Sequence, residues 1–190
     1  GLYGGTQQLV GELPDFGIET DIVDSTDPSD FETKFRDNTR LVYVESPTNP
    51  LMKVVDLQRL SETCRPQGII TIVDSTFGTP VNQNPLKLGI DIVTHSGTKY
   101  LNGHHDLMAG AVASSAENIA KFRDRVITRG GCLNNFDCWM LERGMKTLGL
   151  RVKAQNENAM AAARYLEGHA RVKRVYYPGL ESHPDHETAS

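Results

Sequence analysis

Four short apolar runs most constrain what this chain can fold into. They are RLVYVES (40–46), IITIVDST (69–76), DIVTHSGT (91–98) and LMAGAVAS (107–114). Each is a short, β-branched apolar run, which is typical of strands buried on both faces of a sheet. We therefore predict four strands.

Helix-like stretches lie between the apolar runs. Residues 27–39 open with an aspartate and a serine, which are good helix caps. Residues 56–68 are amphipathic and stop at Pro66 and Gly68. Because strands and helices alternate in this way, the sequence predicts an α/β fold whose sheet has parallel strands flanked by helices.

The C-terminal third has a different pattern. Residues 116–169 have a helical pattern, which Gly144 and Gly149 are expected to break or bend, and residues 171–179 have the pattern of another strand. The long helix and the change in composition predict a second domain. We place a large domain over 1–154 and the beginning of a small C-terminal domain over 155–190.

Composition excludes several classes of function. The 190 residues include 20 Lys and Arg against 24 Asp and Glu, a net charge of −4, which is unlike the basic surface of a nucleic-acid-binding protein. No apolar run approaches the roughly 18 residues of a membrane span, and the first residues lack the pattern of a signal peptide. Three cysteines without a CxxC pair argue against disulfides and structural zinc. We expect a cytoplasmic protein.

Polar side chains gather where the predicted strands end. In open α/β sheets, ligands bind beyond the carboxyl ends of the strands. The residues at these ends are Glu45, Asn49, Asp74, Ser96, Thr98 and Lys99. They would bring two carboxylates, an amide, two hydroxyls and an amine to one edge of the sheet, which a purely structural sheet does not need.

Lys99 has three interpretations: a surface charge, a phosphate-binding lysine, or an amine that makes covalent bonds. A covalent amine needs a partner such as pyridoxal phosphate, with which it forms a Schiff base. Asp74 would then pair with the pyridinium nitrogen. Ser96 and Thr98 could bind the phosphate, and Tyr3 could stack on the ring.

Simpler explanations exist for each of these residues. Lysines after strands are usually surface charges, Asp74 could cap the next turn, and Tyr3 could be a packed side chain. GLYGG at the start of the chain is not a GxGxxG motif and follows no visible strand, so a dinucleotide site is disfavoured.

The histidines of the sequence could in principle bind a metal ion, but their spacing disfavours a metal site. Adjacent His104 and His105 cannot easily share one ion, and no pair at helical i, i+4 spacing appears. We expect no metal site, and we expect His183 and His186 of HPDHE to be solvated.

The stretch DIVTHSGTKYLNGHHD (91–106) closely resembles the lysine signature of the Cys/Met-metabolism family of pyridoxal-phosphate enzymes. The resemblance continues through LYGGT, YVESPTNP, VDSTFGTP, RGMKTLGLRV and YYPGLESHPDHE. It covers essentially the whole chain. The agreement of six separate segments makes the resemblance specific.

The resemblance implies a role for each matching residue. Lys99 is similar to the Schiff-base lysine, which also carries protons between substrate carbons. Asp74 is similar to the partner of the pyridinium nitrogen, and Tyr3 to a stacking tyrosine also suspected of acid–base work.

Four further positions match the family pattern, and one departs from it. Ser96 and Thr98 match the phosphate-binding positions, Asn49 the residue near the phenolic oxygen, and Glu45 a supporting carboxylate. Gly97 stands where the family usually has alanine, which we expect to change only backbone freedom.

The family's fold and chemistry are likewise expectations. The fold should resemble the large domain of fold-type-I, aspartate aminotransferase-like enzymes. The reaction should be elimination or replacement at Cγ or Cβ of a sulfur amino acid, of the cystathionine γ-synthase or γ-lyase type first, and the methionine γ-lyase or cystathionine β-lyase type second. A catalytically inert assembly module is the alternative without enzyme activity.

The resemblance also implies family segments that this sequence lacks and further subunits that complete the protein. The family's phosphate loop would lie before Gly1, and its substrate-carboxylate arginine beyond Ser190. The chain is thus expected to be the middle half of a family member. The functional form is expected to be a homo-oligomer, a dimer or a tetramer of dimers, whose active sites are shared between subunits.

Overall fold

The computed structural model describes residues 1–190, and its centre is a four-stranded sheet in the order β1-β2-β3-β4. The strands are β1 (Leu41–Glu45), β2 (Ile70–Asp74), β3 (Ile92–Ser96) and β4 (Gly110–Ser114). The first three strands are mutually parallel. All four predicted strands are therefore present, and the α/β class is confirmed.

Eight α-helices accompany the sheet. They are α1 (Gly4–Glu12), α2 (Pro28–Glu32), α3 (Leu57–Cys64), α4 (Thr79–Asn82), α5 (Ala116–Arg129), α6 (Asn135–Met145), α7 (Leu148–Glu167) and α8 (His186–Ala189). Asp56 caps α3, because its carboxylate accepts a hydrogen bond from Arg59 N at 3.0 Å. None of the helices combines the length and apolarity that crossing a membrane would require.

The main core lies between one face of the sheet and α3. It comprises Phe31, Val42, Val44, Val55, Leu57, Leu60, Cys64, Ile69, Val73, Ile90 and Val93. Val44 and Val73 are partners in the β1–β2 register, and Val73 pairs in turn with Val93 of β3. We call Val44, Val73 and Val93 the valine row. Because side chains alternate along a strand, the residues next to these valines point to the opposite face of the sheet.

The direction of β4 differs from the prediction. β4 runs antiparallel to β3, with Ser96 opposite Gly110 and Ile92 opposite Ser114. The intervening chain, which contains no α-helix, turns back at once: Thr98 N donates to Ala109 O at 3.2 Å. A parallel strand would need a longer crossover connection, usually a helix. β4 is also exposed at Val112, so it is not buried on both faces as predicted.

The predicted helices are present with different boundaries. The stretch 27–39 is helical only as far as Glu32. The long helical pattern at 116–169 divides into α5, α6 and α7, with breaks at 130–134 and 146–147. The second break follows Gly144 closely, as predicted, whereas Gly149 lies inside α7 and does not interrupt it.

The predicted strand at 171–179 is absent. This segment is irregular, and Val172 N donates to His169 O in a turn instead of pairing in a ladder. A strand needs a neighbouring strand for its backbone groups, and alternation in the sequence alone cannot supply that neighbour.

The C-terminal histidines are not solvated, contrary to expectation. His183 is 4% exposed, and the ring of His186 contacts Pro178 O at 2.8 Å. Between them, the Asp185 carboxylate accepts a hydrogen bond from Val54 N at 2.8 Å. The HPDHE segment is therefore packed against the loop that follows β1.

Truncation of Leu60 is expected to destabilise the fold. This side chain is 0% exposed in the main core. Leu60→Ala should lower the free energy of unfolding by about 2–5 kcal/mol, because it removes apolar contacts and leaves a cavity. Urea denaturation would measure the loss. Leu150→Ala, at a side chain 76% exposed in this chain, is the matched control and should change little.

Candidate active site

One row of side chains crosses the carboxyl ends of the parallel strands. Glu45 is the register partner of Asp74, and Asp74 is the partner of Thr94. Residues directly opposite one another on neighbouring strands share a face of the sheet, and this face is the one opposite the valine row of the core. The sheet therefore brings the two predicted carboxylates next to each other.

Thr76 fixes the orientation of the Asp74 carboxylate. Thr76 N and Thr76 Oγ1 donate to Asp74 Oδ1 at 2.9 and 2.5 Å. Thr76 Oγ1 also accepts a hydrogen bond from Ser96 N at 2.7 Å. One hydroxyl thus joins the end of β2 to the end of β3, and it links the predicted residues Asp74 and Ser96.

The second oxygen of Asp74 remains largely available. Its only hydrogen bond is a long one, 3.4 Å, from the hydroxyl of Tyr43. Burial, followed by the charge of Asp74, raises the pKa of Tyr43 to about 12, so this phenol stays protonated and acts as a donor. Asp74 Oδ2 can therefore accept a further proton donor.

Glu45 connects the row to Tyr3. The backbone N–H of Tyr3 donates to Glu45 Oε1 at 2.6 Å, just before α1 begins. Burial raises the pKa of Glu45, and the neighbouring negative charge of Asp74 adds to this effect. The Tyr3 side chain itself is 61% exposed and is free to cover a ligand at the strand ends.

Lys99 lies in the turn that follows β3. Its backbone N–H donates to Ser96 O at 3.1 Å, and its carbonyl accepts from Gly103 N at 2.7 Å. The side chain is exposed and takes part in none of the ion pairs or hydrogen bonds of the chain. Its amine is therefore unpaired, in the turn that begins at the carboxyl end of β3.

The two predicted phosphate-binding hydroxyls differ. The Thr98 hydroxyl accepts from Ala109 N at 3.0 Å and contacts Ala109 O at 3.3 Å, so it holds the turn towards β4. The Ser96 side chain forms no such bond and remains available. Gly97 matters more than expected, since an added Cβ would stand 3.0 Å from Ala109 Cβ.

Asn49 is not joined to the other residues. It is exposed in the loop after β1, and its side chain forms no hydrogen bond. A cavity of about 1030 Å³ beside β1 is lined by Glu45 and Tyr43 but not by Asp74, Ser96 or Lys99. The cavity is therefore adjacent to the polar row and does not enclose the lysine.

His95 faces the buried side of β3. Burial lowers its pKa, although the negative charge of Asp74 opposes the shift, and Nδ1 has no hydrogen-bond partner. His104 Nδ1 contacts Asn102 O at 2.7 Å, and the structure contains no cluster of potential metal ligands around these histidines.

The pKa of His95 predicts a pH-dependent stability. Unfolded His95 takes up a proton near 6.5, whereas the folded protein binds it only at lower pH. Because the unfolded state then binds more protons, this contribution to stability is lost as pH falls through 6.5. In urea denaturation at pH 7.5 and 5.5, His95→Gln should show a smaller decline than the parent. His105→Gln, at an exposed histidine, should decline like the parent, and an unchanged decline in His95→Gln would contradict this origin.

Two residues that orient the site are not singled out by the sequence pattern. Tyr43 lies inside an apolar strand, and Thr76 lies at the end of the predicted strand 69–76. The Asp-x-Thr spacing of residues 74–76 could have indicated the bond between them, because aspartate side chains commonly bond the backbone two residues on.

These groups fit pyridoxal phosphate. An unpaired amine, a carboxylate oxygen with spare acceptor capacity and a free hydroxyl are the partners that its aldehyde, ring nitrogen and phosphate require. Such a set at the carboxyl edge of a mostly parallel sheet is compatible with pyridoxal phosphate as a cofactor.

Comparison with known proteins identifies the family. A family model described as Cys/Met metabolism PLP-dependent enzyme matches residues 1–190. The chain therefore belongs to the Cys/Met-metabolism family of pyridoxal-phosphate enzymes.

Named relatives agree with this membership. A cystathionine gamma-lyase of Bacillus subtilis is 44% identical over 99% of this chain and 50% of its own length. A probable cystathionine gamma-synthase of Herpetosiphon aurantiacus is 41% identical over 99% of this chain and 60% of its own length. The chain thus spans about half to three-fifths of the length of these relatives.

The fold agrees with a solved structure. A crystal structure of cystathionine gamma-lyase from Lactobacillus plantarum, complexed with L-serine, superimposes with a TM-score of 0.93 at 36% identity. The match covers 99% of this chain and 50% of that one. The predicted fold type is therefore confirmed.

Proposed function

We propose that the full-length protein containing this chain catalyses elimination or replacement at Cγ of a sulfur amino acid. One observation carries the proposal. Lys99 is exposed and unpaired after β3, while Asp74 at the end of β2 keeps one oxygen that accepts only a long hydrogen bond from Tyr43. When bound, pyridoxal phosphate would supply an electron-withdrawing ring that stabilises negative charge at the substrate α-carbon.

Each residue of the site has a proposed task. Lys99 Nζ would bond the cofactor covalently and would then move protons between substrate carbons. Asp74 Oδ2 would accept the ring N–H, with Thr76 holding the orientation of the carboxylate. Ser96 would donate a hydrogen bond from its hydroxyl to the phosphate, and the Tyr3 ring would cover the cofactor.

Three further residues support the site. Thr98 acts through the turn that it holds against Ala109, so its proposed contribution to phosphate binding is through backbone position as well as its hydroxyl. Glu45 holds Tyr3 at the strand ends. Asn49 is assigned to the phenolic oxygen of the cofactor on the strength of the family motif.

Several sulfur amino acids are candidate substrates. The two named relatives, a gamma-lyase and a probable gamma-synthase, differ in reaction yet are 44% and 41% identical. We favour γ-synthase or γ-lyase activity. Methionine γ-lyase or cystathionine β-lyase activity is the second candidate, and an inert assembly module is the third.

A panel of reactions separates these candidates. Purified full-length protein would be loaded with pyridoxal phosphate and given, in turn, an O-acylated homoserine with cysteine, cystathionine alone, and methionine alone. Cystathionine formed from the first mixture indicates a γ-synthase. From cystathionine, cysteine with 2-oxobutanoate indicates a γ-lyase, and homocysteine with pyruvate a β-lyase. Methanethiol from methionine indicates the methionine enzyme, and no turnover of any substrate supports the inert module.

We also propose a homo-oligomer, a dimer or a tetramer of dimers, with shared sites. The cofactor phosphate carries roughly two negative charges near neutral pH, like other phosphate monoesters. No arginine takes part in the hydrogen bonds of Thr76, Ser96 or Thr98. In a C2 dimer the same patch serves both partners, so each subunit could complete the other's site.

Exposed apolar surface supports this proposal. Helix α5 has no buried residue, although its residues are amphipathically arranged. On α6, Phe136 and Trp139 are stacked with ring centroids 6.0 Å apart and remain 65% and 57% exposed. Surfaces of this kind mark protein contacts. Dilution in sedimentation should release cofactor as subunits separate, and a monomer that keeps its cofactor and activity would overturn the shared site.

The free cysteines bear on the location of the protein, and helix α7 bears on its domain boundary. We propose a cytoplasmic location, which suits a chain with free Cys64 and exposed free Cys132 and Cys138. We also retain the domain boundary between residues 154 and 155, although helix α7 runs through it without interruption.

A further inference from the structure

Arg151 of α7 makes an unusual set of contacts with the turn that contains Lys99. Its Nη1 donates to Tyr100 O at 2.9 Å, and its Nη2 donates to Leu101 O at 3.3 Å. Nη2 also donates to Gly144 O at 2.8 Å, and Nε donates to Thr147 Oγ1 at 3.0 Å. One guanidinium therefore joins the two residues after Lys99 to the junction of α6 and α7.

Two glycines make room for this contact. Gly103 has φ +80°, a conformation that favours glycine, and an added Cβ there would overlap Arg151 Nη1. An added Cβ at Gly144 would overlap Asn102 O. The backbone of the turn that contains Lys99 is thus in direct contact both with the Arg151 guanidinium and with the end of α6.

The turn held in this way is short and internally bonded. Asn102 N donates to Gly97 O at 3.0 Å, and Gly103 N donates to Lys99 O at 2.7 Å. Asn102 is 1% exposed. Because the carbonyls of Tyr100 and Leu101 accept hydrogen bonds from the Arg151 guanidinium, the turn cannot rotate about its ends without breaking these charged hydrogen bonds.

Only a guanidinium can make this set of bonds. Its donors are held in a planar fork, and here they serve acceptors from three stretches of chain at once. A lysine ammonium is a compact point charge and could reach only part of the set.

We propose that Arg151 is a positioning residue for Lys99. It fixes the turn at 97–103, and so determines where the Lys99 amine stands relative to Asp74, without contacting either side chain. The inference rests on the proposed function, because it assigns the position of the amine that bonds the cofactor.

The test compares Arg151→Lys with Lys153→Gln in the full-length protein. Lys153 is exposed on the same helix, so its loss removes a charge without touching the turn. Cofactor-free protein would be mixed with pyridoxal phosphate, and covalent capture would be followed by visible absorbance. Arg151→Lys should slow capture and lower kcat by about tenfold to a hundredfold, since misplacement of a reacting group by about 1 Å has this cost. KM should change much less.

Hydrogen exchange provides a readout that does not involve the cofactor. In the cofactor-free protein, amides of the peptide 97–103 should exchange faster in Arg151→Lys than in the parent, with the remaining core unchanged. Lys153→Gln should match the parent in exchange, capture and kcat. A lower melting temperature in Arg151→Lys with parental capture and kcat would reduce Arg151 to a structural residue and overturn the proposal.

A milder variant covers the case in which Arg151→Lys does not fold. Thr147→Val removes the acceptor of Arg151 Nε and leaves the other three contacts. It should give a smaller change of the same kind in exchange and capture, and no change would overturn the proposal. If the parent itself captures no cofactor at Lys99, the proposed function fails, which is distinct from a failure of the Arg151 assignment.

Discussion

Replacing Lys99 with alanine is expected to abolish covalent cofactor binding and to lower kcat by about a thousandfold or more, the scale on which loss of a covalent nucleophile acts in other enzymes. Lys99 is exposed and unpaired, so its loss should leave the free energy of unfolding of the cofactor-free protein nearly unchanged. Borohydride reduction of the parent, followed by peptide mapping, should find the cofactor on Lys99. The variant should lack the visible absorbance band.

Lys87→Ala is the matched control for this experiment. Lys87 is also exposed and also lies on a turn beside β3, but at the opposite end of that strand. Its variant should retain both the absorbance band and the activity. A reduced cofactor found on Lys87 or Lys121 would contradict the assignment of Lys99.

Asp74→Asn should reduce activity far more than it reduces stability. A neighbouring carboxylate favours a protonated partner by about 1 to 3 pKa units, so its neutralisation should lower kcat by about tenfold to a thousandfold. The amide oxygen can still accept from Thr76. Removal of the charge beside Glu45, whose pKa it helps to raise, should leave the cofactor-free protein as stable as the parent or slightly more stable.

Asp91→Asn provides a comparison in the same sheet. The Asp91 carboxylate accepts from Thr71 N and Thr71 Oγ1 at 2.8 and 2.9 Å, much as Asp74 accepts from Thr76, but at the other end of the strands. Its variant should affect unfolding in urea without altering kcat. Equal losses of stability and activity in Asp74→Asn would instead support a structural role for Asp74.

Much of the fold was predictable because the strands are locally encoded. β1, β2 and β3 each lie inside a run of β-branched apolar residues, and burial in a parallel sheet requires this composition. The end of α3 was predictable for a similar reason, since Pro66 and Gly68 restrict or release the backbone whatever surrounds them.

The failures share a physical cause. Residues 171–179 alternate as a strand should, yet no neighbouring strand is available to pair with them. His183 looked like a solvated side chain, but it is buried beside the loop after β1, where its ring contacts Leu51 O at 3.5 Å. In both cases the outcome depends on residues far away in the chain, which local patterns cannot report.

For the candidate site, the kinds of side chain were predictable and their pairing was not. Glu45 and Asp74 were expected at one edge because parallel strands end together, and the register makes them direct neighbours. The commitment of the Thr98 hydroxyl to Ala109 was not foreseeable, since it depends on the turn into β4.

The sequence by itself determined the chemistry that this protein can hold: a lysine after one buried strand, an aspartate after another, and the motifs that identify the family. The tertiary structure decided which of these groups are free to act. It made β4 antiparallel to β3 and bound Asp74 Oδ1 to Thr76. It also placed the Arg151 guanidinium against the carbonyl of Tyr100, 51 positions earlier in the chain. Side-chain identity is local information, whereas register, burial and hydrogen-bond partners exist only after distant segments have packed together.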